Sequence, residues 1–254
     1  MDAAVTTLNI VTYNIHKGFS QFNRRVVLHE LRERLRLLNS DVVFLQEVQG
    51  ERRYLPRRHA DYPQQPQHEF LAQEIWPHHA YGMNAVYDGG HHGNAILSRY
   101  PILKWENEDI SAHGFESRGA LHCELELPGR QDVTLHCLCV HLGLFKRGRV
   151  RQFDALVGRI SELVPAQAPL IIAGDFNDWN NHANRQLAQA LGLREVFELS
   201  HGSLARSFPA KLPMLRLDRI YVRGLQVRHS AVHAHAPWDR ISDHAALSAT
   251  VVLS

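Results

Sequence analysis

The chain has 254 residues, of which 44% are hydrophobic and 21% charged, the mix of an ordinary soluble globular protein with enough length to bury a sizeable core. The length suits one large α/β or all-β domain, or two small ones. A formal net charge of +2 excludes a global field aimed at nucleic acid or membrane, so a polyanion site would have to come from local clusters.

The opening MDAAVTTLNIVTY lacks the basic n-region and long apolar h-region of a signal peptide. No apolar run approaches the roughly 20 residues of a membrane span. The expected location is the cytoplasm. Residues 7–16 (TLNIVTYNIH) predict a strand, rich in β-branched and aromatic residues. In 24–39, Leu28, Leu31, Leu35 and Leu38 recur at helical spacing between arginines and glutamates. Residues 41–47 (DVVFLQE) are a short continuous apolar run, expected of a buried strand. Residues 51–67, rich in Arg, Pro and Gln, predict a surface loop, and HEFLAQEIW a short helix. Between 80 and 141, YGMNAVY, NAILS, ALHCELEL and VTLHCLCVH are short apolar or alternating runs separated by turn signals.

The three cysteines, Cys123, Cys137 and Cys139, form no CxxC pair. Cys137 and Cys139 alternate in an apolar run and are expected to share one face of a strand as small buried hydrophobes, which fits a reducing compartment. A helix is predicted over 147–164, with Val150, Phe153, Leu156, Val157 and Ile160 on one stripe. PLIIAG is a further buried strand, NRQLAQALGL a short helix, and RLDRIYV, LQVRHSAVHA and HAALSATVVL are strands. There is no repeat or low-complexity linker. The expectation is one domain over 1–254, two packed sheets with helices outside.

Polar residues gather where these apolar strands run out: Asn14 and His16, Glu47, His141, Asp175 and Asn177, with Asp218 inside LRLDRIYV and Asp243 and His244 at the start of the last strand. Strand ends in layered α/β folds hold side chains rigidly in open space. Carboxylate oxygens without thiolates suit Mg²⁺, with Mn²⁺ able to substitute. Asn amides can donate to phosphoryl oxygens, and a His held by an Asp is a fixed proton donor or acceptor. Together they would serve phosphodiester hydrolysis. Taken singly, each has a plainer reading. GDFN and SD are good turn chemistry, Glu47 a solvated strand end, Asn14 a turn former and His141 a structural histidine. Asp218 is harder to explain away, because a carboxylate in an apolar strand needs a cationic partner, and Arg219 or His244 could supply it.

The blocks TYNIHKG, FLQEV, GNAILSRYPI, CVHLGL, IIAGDFND, LDRIYV and SDHAAL resemble, in order, the signature blocks of the endonuclease/exonuclease/phosphatase (deoxyribonuclease-I-like) superfamily, over residues 12–247. That resemblance implies a four-layer α/β/β/α sandwich, two packed mixed β-sheets flanked by helices, with the site at one edge of the sheets. It implies Glu47 as main Mg²⁺ ligand with Asn14 beside it at metal and phosphate, and Asp243 completing the metal side. Asp175 would orient or deprotonate water, Asn177 hold phosphate, and His244, held by Asp218, contact the phosphoryl group as acid or base. His141 would lie on the phosphate, with Glu69 and Glu74 as candidate acidic partners. Arg118, in ESRGAL, could reach phosphate, although an exposed arginine is its default reading. Where many members carry proline two residues after the SDH histidine, this chain has Ala246.

Two basic clusters, ERRYLPRRH (51–59) and KRGRVR (146–151), follow Glu47 and His141. They could hold flanking phosphates of nucleic acid or be ordinary solvated loops. Leu142, Leu144 and Phe145 beside the second cluster could sit on an anionic lipid surface, or pack inward, which is the expectation. The leading expectation is a Mg²⁺-dependent nuclease acting on DNA or RNA. The alternatives are a phospholipid-headgroup or small-molecule phosphodiesterase or phosphatase, and a silent binding protein on the same scaffold. The last is disfavoured because every expected residue type is present. No obligate protein partner is evident.

Overall fold

A computed structural model describes residues 6–52, 59, 61–114, 116–179 and 181–253. Among these, twelve strands form two six-stranded sheets. The first has the order β11 (Leu225–His233), β12 (Ala246–Leu253), β1 (Thr6–Asn14), β2 (Val42–Arg52), β4 (Gly90–Ser98) and β3 (His78–Tyr87). The second runs β5 (Ile102–Asp109), β6 (Gly119–Leu127), β7 (Arg130–His141), β8 (Leu170–Asp175), β10 (Asp218–Arg223) and β9 (Arg194–Glu195). Each is mixed: β1–β2 and β7–β8 pair in parallel, the other neighbours antiparallel.

Side chains alternate across a strand, and the alternation sorts the hydrophobic residues into three layers. Leu8, Ile10, Val42, Phe44, Ile96, Leu247 and Ala249 of the first sheet meet Leu121, Cys123, Cys137, Cys139, Ile171, Ala173 and Ile220 of the second. The opposite face of the first sheet (Val11, Tyr13, Val43, Leu45, Leu97) is covered by Leu28, Leu31 and Leu35 of α1 (Leu28–Leu37) and by Phe70 and Leu71 of α2 (Gln67–Ala72). That of the second (Leu138, Val140, Leu170, Ile172, Tyr221) packs on α3 (Lys146–Leu163) and α4 (His182–Leu191) through Phe153, Leu156, Ile160, Leu187 and Leu191. The result is the α/β/β/α sandwich that the sequence implied, with all three cysteines as thiols in the middle layer.

The structure corrects several expected boundaries. The first helix begins only at Leu28, because Val26 is bridged to Phe19. The second strand does not stop at Glu47 but continues to Arg52. β5, ILKWENED, was not anticipated from the sequence. It is an edge strand whose residues are half-buried or exposed, so no strong apolar pattern marks it. Val150 is exposed and drops out of the α3 stripe. Leu142 packs inward as expected, but Leu144 and Phe145 are 53% and 60% exposed, against the expectation for this loop. The reason is the loop's short span into α3: Arg149 is buried beneath it and takes the inward space, donating to the carbonyls of Gly143 and Leu144. In the first basic cluster, 53–58 lie outside the described residues.

Arg219 is a fully buried arginine near the sheet junction. Its guanidinium donates to the carbonyls of Arg216, Asp218 and Asp178 and to Asn181 Oδ1, tying β10 to the loop after β8. Removing it leaves buried carbonyls without donors, at roughly 1–3 kcal/mol each. Arg219→Met is expected to lower unfolding free energy by about 3–5 kcal/mol in urea denaturation. A loss below about 1 kcal/mol would show that the loop does not depend on it.

Candidate active site

The inward-facing set of β1 is Leu8, Ile10, Thr12; of β7, Leu135, Cys137, Cys139; of β8, Ile171, Ala173. One step further along each strand stand Asn14, His141 and Asp175. Asp218 opens the corresponding set of β10, ahead of Ile220 and Val222. All four are buried. The residues that gather at this edge are therefore the polar continuation of the middle layer.

Glu47 would face the wrong way on this alternation, with Val43 and Leu45 on the outer side of the first sheet. A β-bulge corrects it. The pairing of β2 with β4 shifts register between Leu45 and Val48, so Gln46 and Glu47 together oppose the single residue Asn94. Glu47 takes φ +56°, an uncommon conformation for a residue with a side chain. Its Oε1 ends 3.5 Å from Asn14 Nδ2, and Lys17 Nζ lies 3.8 Å from its other oxygen.

Asp175 is the centre of the group. Asn14 Nδ2 donates to its Oδ2 at 3.2 Å, and His141 Nε2 and His244 Nε2 approach that oxygen at 3.5 and 3.7 Å. The Asn177 backbone N–H donates to Oδ1 at 2.9 Å, with Asn177 itself at φ +50°. One Asn177 side-chain N–H is donated to the Leu142 carbonyl at 2.9 Å, which pins the His141 loop to the GDFN turn. His244 Nδ1 lies 2.9 Å from Asp218 Oδ2, so His244 rather than Arg219 is the cationic partner of Asp218. Asp243 and His244 do not open the last strand, which starts at Ala246. They sit in the turn before it, where Ser242 Oγ donates to the Asn14 carbonyl at 2.7 Å.

Burial raises the Asp175 carboxyl, against the opposing charge of His244, to about 6. For His244, burial works to lower the imidazole, but Asp218 and then Asp175 outweigh it and lift the ring to about 10. Burial, then Arg118 and then His244, hold His141 well below its ordinary value, so this ring is neutral. Two adjacent histidines thus carry opposite protonation states. Asp175, Asp218 and His244 each offer an atom within 4.8 Å of the others, the spacing of a cation cluster, and His244 and Asp218 are joined there by the Nδ1–Oδ2 hydrogen bond.

Arg118 is not an exposed arginine. It is half-buried, 3.2 Å from Glu116, which also accepts from the Leu144 N–H. Glu69 and Glu74 are not partners of His141. α2, which carries Glu69, and Glu74, just beyond it, lie on the first-sheet side of the fold, whereas His141 ends β7 of the second and faces Asp175. Sequence reasoning left Lys17 unassigned, beside Glu47, and Asn94, whose amide donates to the carbonyls of Gly119 and Cys139 across the sheets. It noted His16 at the strand end without a role; His16 Nδ1 lies 3.4 Å from Asp243 Oδ1. The first two stand in the quoted blocks TYNIHKG and GNAILSRYPI, which is the signal that could have found them. Trp179 stacks on the Arg149 guanidinium at 5.0 Å while remaining 43% exposed. Asn180 lies outside the described residues.

Residues 11–244 match the model of the Endonuclease/Exonuclease/phosphatase family, and the chain belongs to that family, whose members are hydrolases of phosphoric esters. It is 45% identical to the uncharacterized protein YbhP of Escherichia coli over 247 residues, 97% of each chain. Among solved structures, it is similar to TDP2 of D. rerio complexed with a single-strand DNA product (TM-score 0.70, 20% identity, 97% of this chain and 99% of that one). It is also similar to a mannosyl-6-phosphatase of Bacteroides thetaiotaomicron (TM-score 0.73, 16% identity, 96% and 99%).

The close pairing of His141 with Asp175 depends on Gly174. Its φ is +150°, and a Cβ there would lie 1.9 Å from the Val140 carbonyl oxygen of the paired strand. Backbone cannot yield by that much without parting β7 from β8. Gly174→Ala is expected to destabilise the fold by about 3 kcal/mol and lower the melting temperature measurably by calorimetry. An unchanged melting temperature would contradict the close approach.

Proposed function

We propose that this chain is a metal-dependent phosphodiester hydrolase acting on nucleic acid, with Asp175 as the group that orients and deprotonates water. The observation that carries the reading is the convergence of Asn14, His141 and His244 on one buried carboxylate oxygen. A carboxyl raised to about 6 is ionised at neutral pH yet basic enough to take a proton from water. His244, kept protonated by Asp218, sits on the other side of that carboxylate and is the donor to a phosphoryl oxygen. The Asp175–His244–Asp218 cluster is in this reading a proton-holding row rather than the metal site. Neutral His141 and the second side-chain N–H of Asn177 donate to the phosphate.

The metal donors are Glu47, Asn14 and Asp243. They fit a hard cation: two half-exposed carboxylates and an amide, with no thiolate, their charged or ionisable neighbours Lys17 and His16 standing off at 3.4–3.8 Å. Mg²⁺, with Mn²⁺ as substitute, would supply charge neutralisation at the phosphoryl group when bound. Lys17, near Glu47, adds fixed positive charge to the same side. Arg118 is held by Glu116 close enough to His141 to lower it, and is assigned to substrate phosphate.

Nucleic acid is favoured over other esters by the surroundings. A cleft of about 460 Å³ has Phe22, Arg24, Arg25, Lys211 and Arg240 in its lining, against one acidic residue, Asp239. Its Lys211 side adjoins Asp243, because the Ala210 N–H donates to the Asp243 carbonyl. Phe22 is 73% exposed with the Arg24 guanidinium over its ring, and Trp179 with Arg149 forms a second such pair near the GDFN turn. Exposed aromatics interleaved with arginine are what single-stranded nucleic acid uses for stacking and phosphate contact. The TDP2 relative was solved with a single-strand DNA product. A lipid-headgroup or sugar-phosphate ester is the second reading, favoured by exposed Leu144, Phe145, Leu212 and Met214 and by the mannosyl-6-phosphatase relative. No described helix is long and apolar enough to cross a membrane. Three buried thiols fit the proposed cytoplasmic location.

The test is a substrate panel of single-stranded and plasmid DNA, RNA, phospholipid vesicles and sugar phosphates, each with Mg²⁺, Mn²⁺ or EDTA. Nucleic-acid cleavage that EDTA abolishes, reduced about 10²–10⁴-fold in kcat by Asp175→Asn and by His244→Ala, is the expected result. Lipid or sugar-phosphate cleavage without nucleic-acid cleavage would overturn the substrate, EDTA-insensitive cleavage the metal dependence, and absence of activity on every substrate the enzyme.

A further inference from the structure

The outer face of the second sheet carries a polar cluster that takes no part in the site above. On β6 the residues facing away from the middle layer are Ala120, His122 and Glu124, and on β7 they are His136, Leu138 and Val140. Under α3, His122 lies among Leu138, Leu156 and Ile160, with the ion pair of Arg159 and Glu108 beside them. His122 and His136 are nevertheless buried there, 3% and 4% exposed. Buried imidazoles in such a layer need partners. They find each other: the ring planes lie within 12° of each other with centroids 5.2 Å apart, so the imidazoles meet edge to edge, and His122 Nε2 lies 3.0 Å from His136 Nδ1. Behind them, Glu106 of β5 faces His122 in register and brings Oε1 to 3.6 Å from His122 Nδ1, beyond hydrogen-bond range. That carboxylate oxygen is buried and has no hydrogen-bond partner. In front, Glu124 opposes His136 in register and is only half-buried.

We propose that His122, His136 and Glu124 form a binding site for a transition-metal divalent cation of the zinc class, with Glu106 orienting His122 from behind. His122, Glu124 and His136 each offer one ligand atom, and all lie within 4.8 Å of one another. Two imidazole nitrogens and one carboxylate oxygen are donors for Zn²⁺, Co²⁺ or Ni²⁺ rather than for Mg²⁺. Tetrahedral bonds of about 2.0–2.2 Å put ligand atoms about 3.3–3.6 Å apart, so the imidazole nitrogens, now 3.0 Å apart, part by a few tenths of an ångström as the rings turn to face the ion, and the half-buried Glu124 carboxylate closes the remainder. A ligating histidine normally gives its other N–H to a carboxylate, and Glu106 stands where that partner is needed.

The ion has a way in. A cavity of about 510 Å³, bounded by Asp132, Thr134, Leu163 and Pro165, opens against Glu124 and His136 and leaves room for solvent as a fourth ligand. Lys104, opposite Glu124 on β5, opposes the ion by charge repulsion. An ion here would tie β5, β6 and β7 together at the edge of the sheet where pairing is otherwise least protected. The inference does not depend on the substrate or mechanism proposed above.

Equilibrium dialysis of the metal-stripped full chain against Zn²⁺, in excess Mg²⁺, tests this, with Co²⁺ absorption reporting coordination. Wild-type chain is expected to retain one more Zn²⁺ than His136→Gln and to give a tetrahedral Co²⁺ spectrum that the variant lacks. Glu106→Gln should weaken Zn²⁺ binding about 10–100-fold while leaving the stoichiometry unchanged. Because His136→Gln could perturb folding, Glu124→Gln, at a half-exposed position, serves as the second variant and should also lose Zn²⁺ affinity. Zn²⁺ stoichiometry and affinity unchanged in both His136→Gln and Glu124→Gln would overturn the proposal, as would a wild-type chain that retains no Zn²⁺ at this site.

Discussion

The carboxylate of Asp175 is buried where the two sheets meet, and most of the surrounding construction keeps a charge tolerable there. Burial raises its proton affinity, while the amides of Asn14 and Asn177 and the charge of His244 work the other way. His244 can remain charged in the same buried position only because Asp218 lies 2.9 Å from its other nitrogen. Asp218 in turn stands on a strand whose end is fastened by Arg219. A carboxylate of intermediate basicity and an imidazole of high basicity at contact distance are one coupled unit, and the proposed chemistry is what such a unit can do with water and a phosphate.

The backbone meets this constraint at a few unusual places. Gly174 lets β8 approach β7 closely enough to align His141 with Asp175. The bulge at Glu47 reverses the facing of one carboxylate without ending the strand. Asn177 takes a left-handed conformation that returns its own N–H to Asp175. Such conformations cost free energy and persist only where surrounding structure enforces them. Here they fall on the sheet edge that collects the polar residues.

Much of this was legible in the sequence, for a physical reason. Strands that alternate into a shared core end in side chains of the same facing, so Asn14, His141 and Asp175 could be picked out as the next members of apolar series. Asp218 betrayed itself as a carboxylate in an apolar strand. Glu47 was picked out at the end of an apolar run and given its metal role by resemblance, but its route into the site was not visible, because a bulge is a property of the pair β2–β4 and leaves no mark in β2 alone. The partner of His141 was missed because it stands on another strand, 34 positions away, and proximity across a parallel pair is set by register. Arg149 displaced Leu144 and Phe145 from the interior, an outcome that depends on how short the connection into α3 is. β5 went unseen because an edge strand with charged residues has no one-sided apolar signal.

The claim that Asp175, His244 and Asp218 act as one proton-holding unit is tested most directly by following the His244 ring nitrogens by NMR through a pH titration of the metal-free chain. The ring charge is raised by its carboxylate partners, so the proton should be retained through neutrality and lost only near pH 10. In Asp218→Asn, where the largest favourable charge is removed, the midpoint should fall by several pH units. A wild-type His244 that titrates near the ordinary imidazole value of about 6.5, unaffected by Asp218→Asn, would contradict the account.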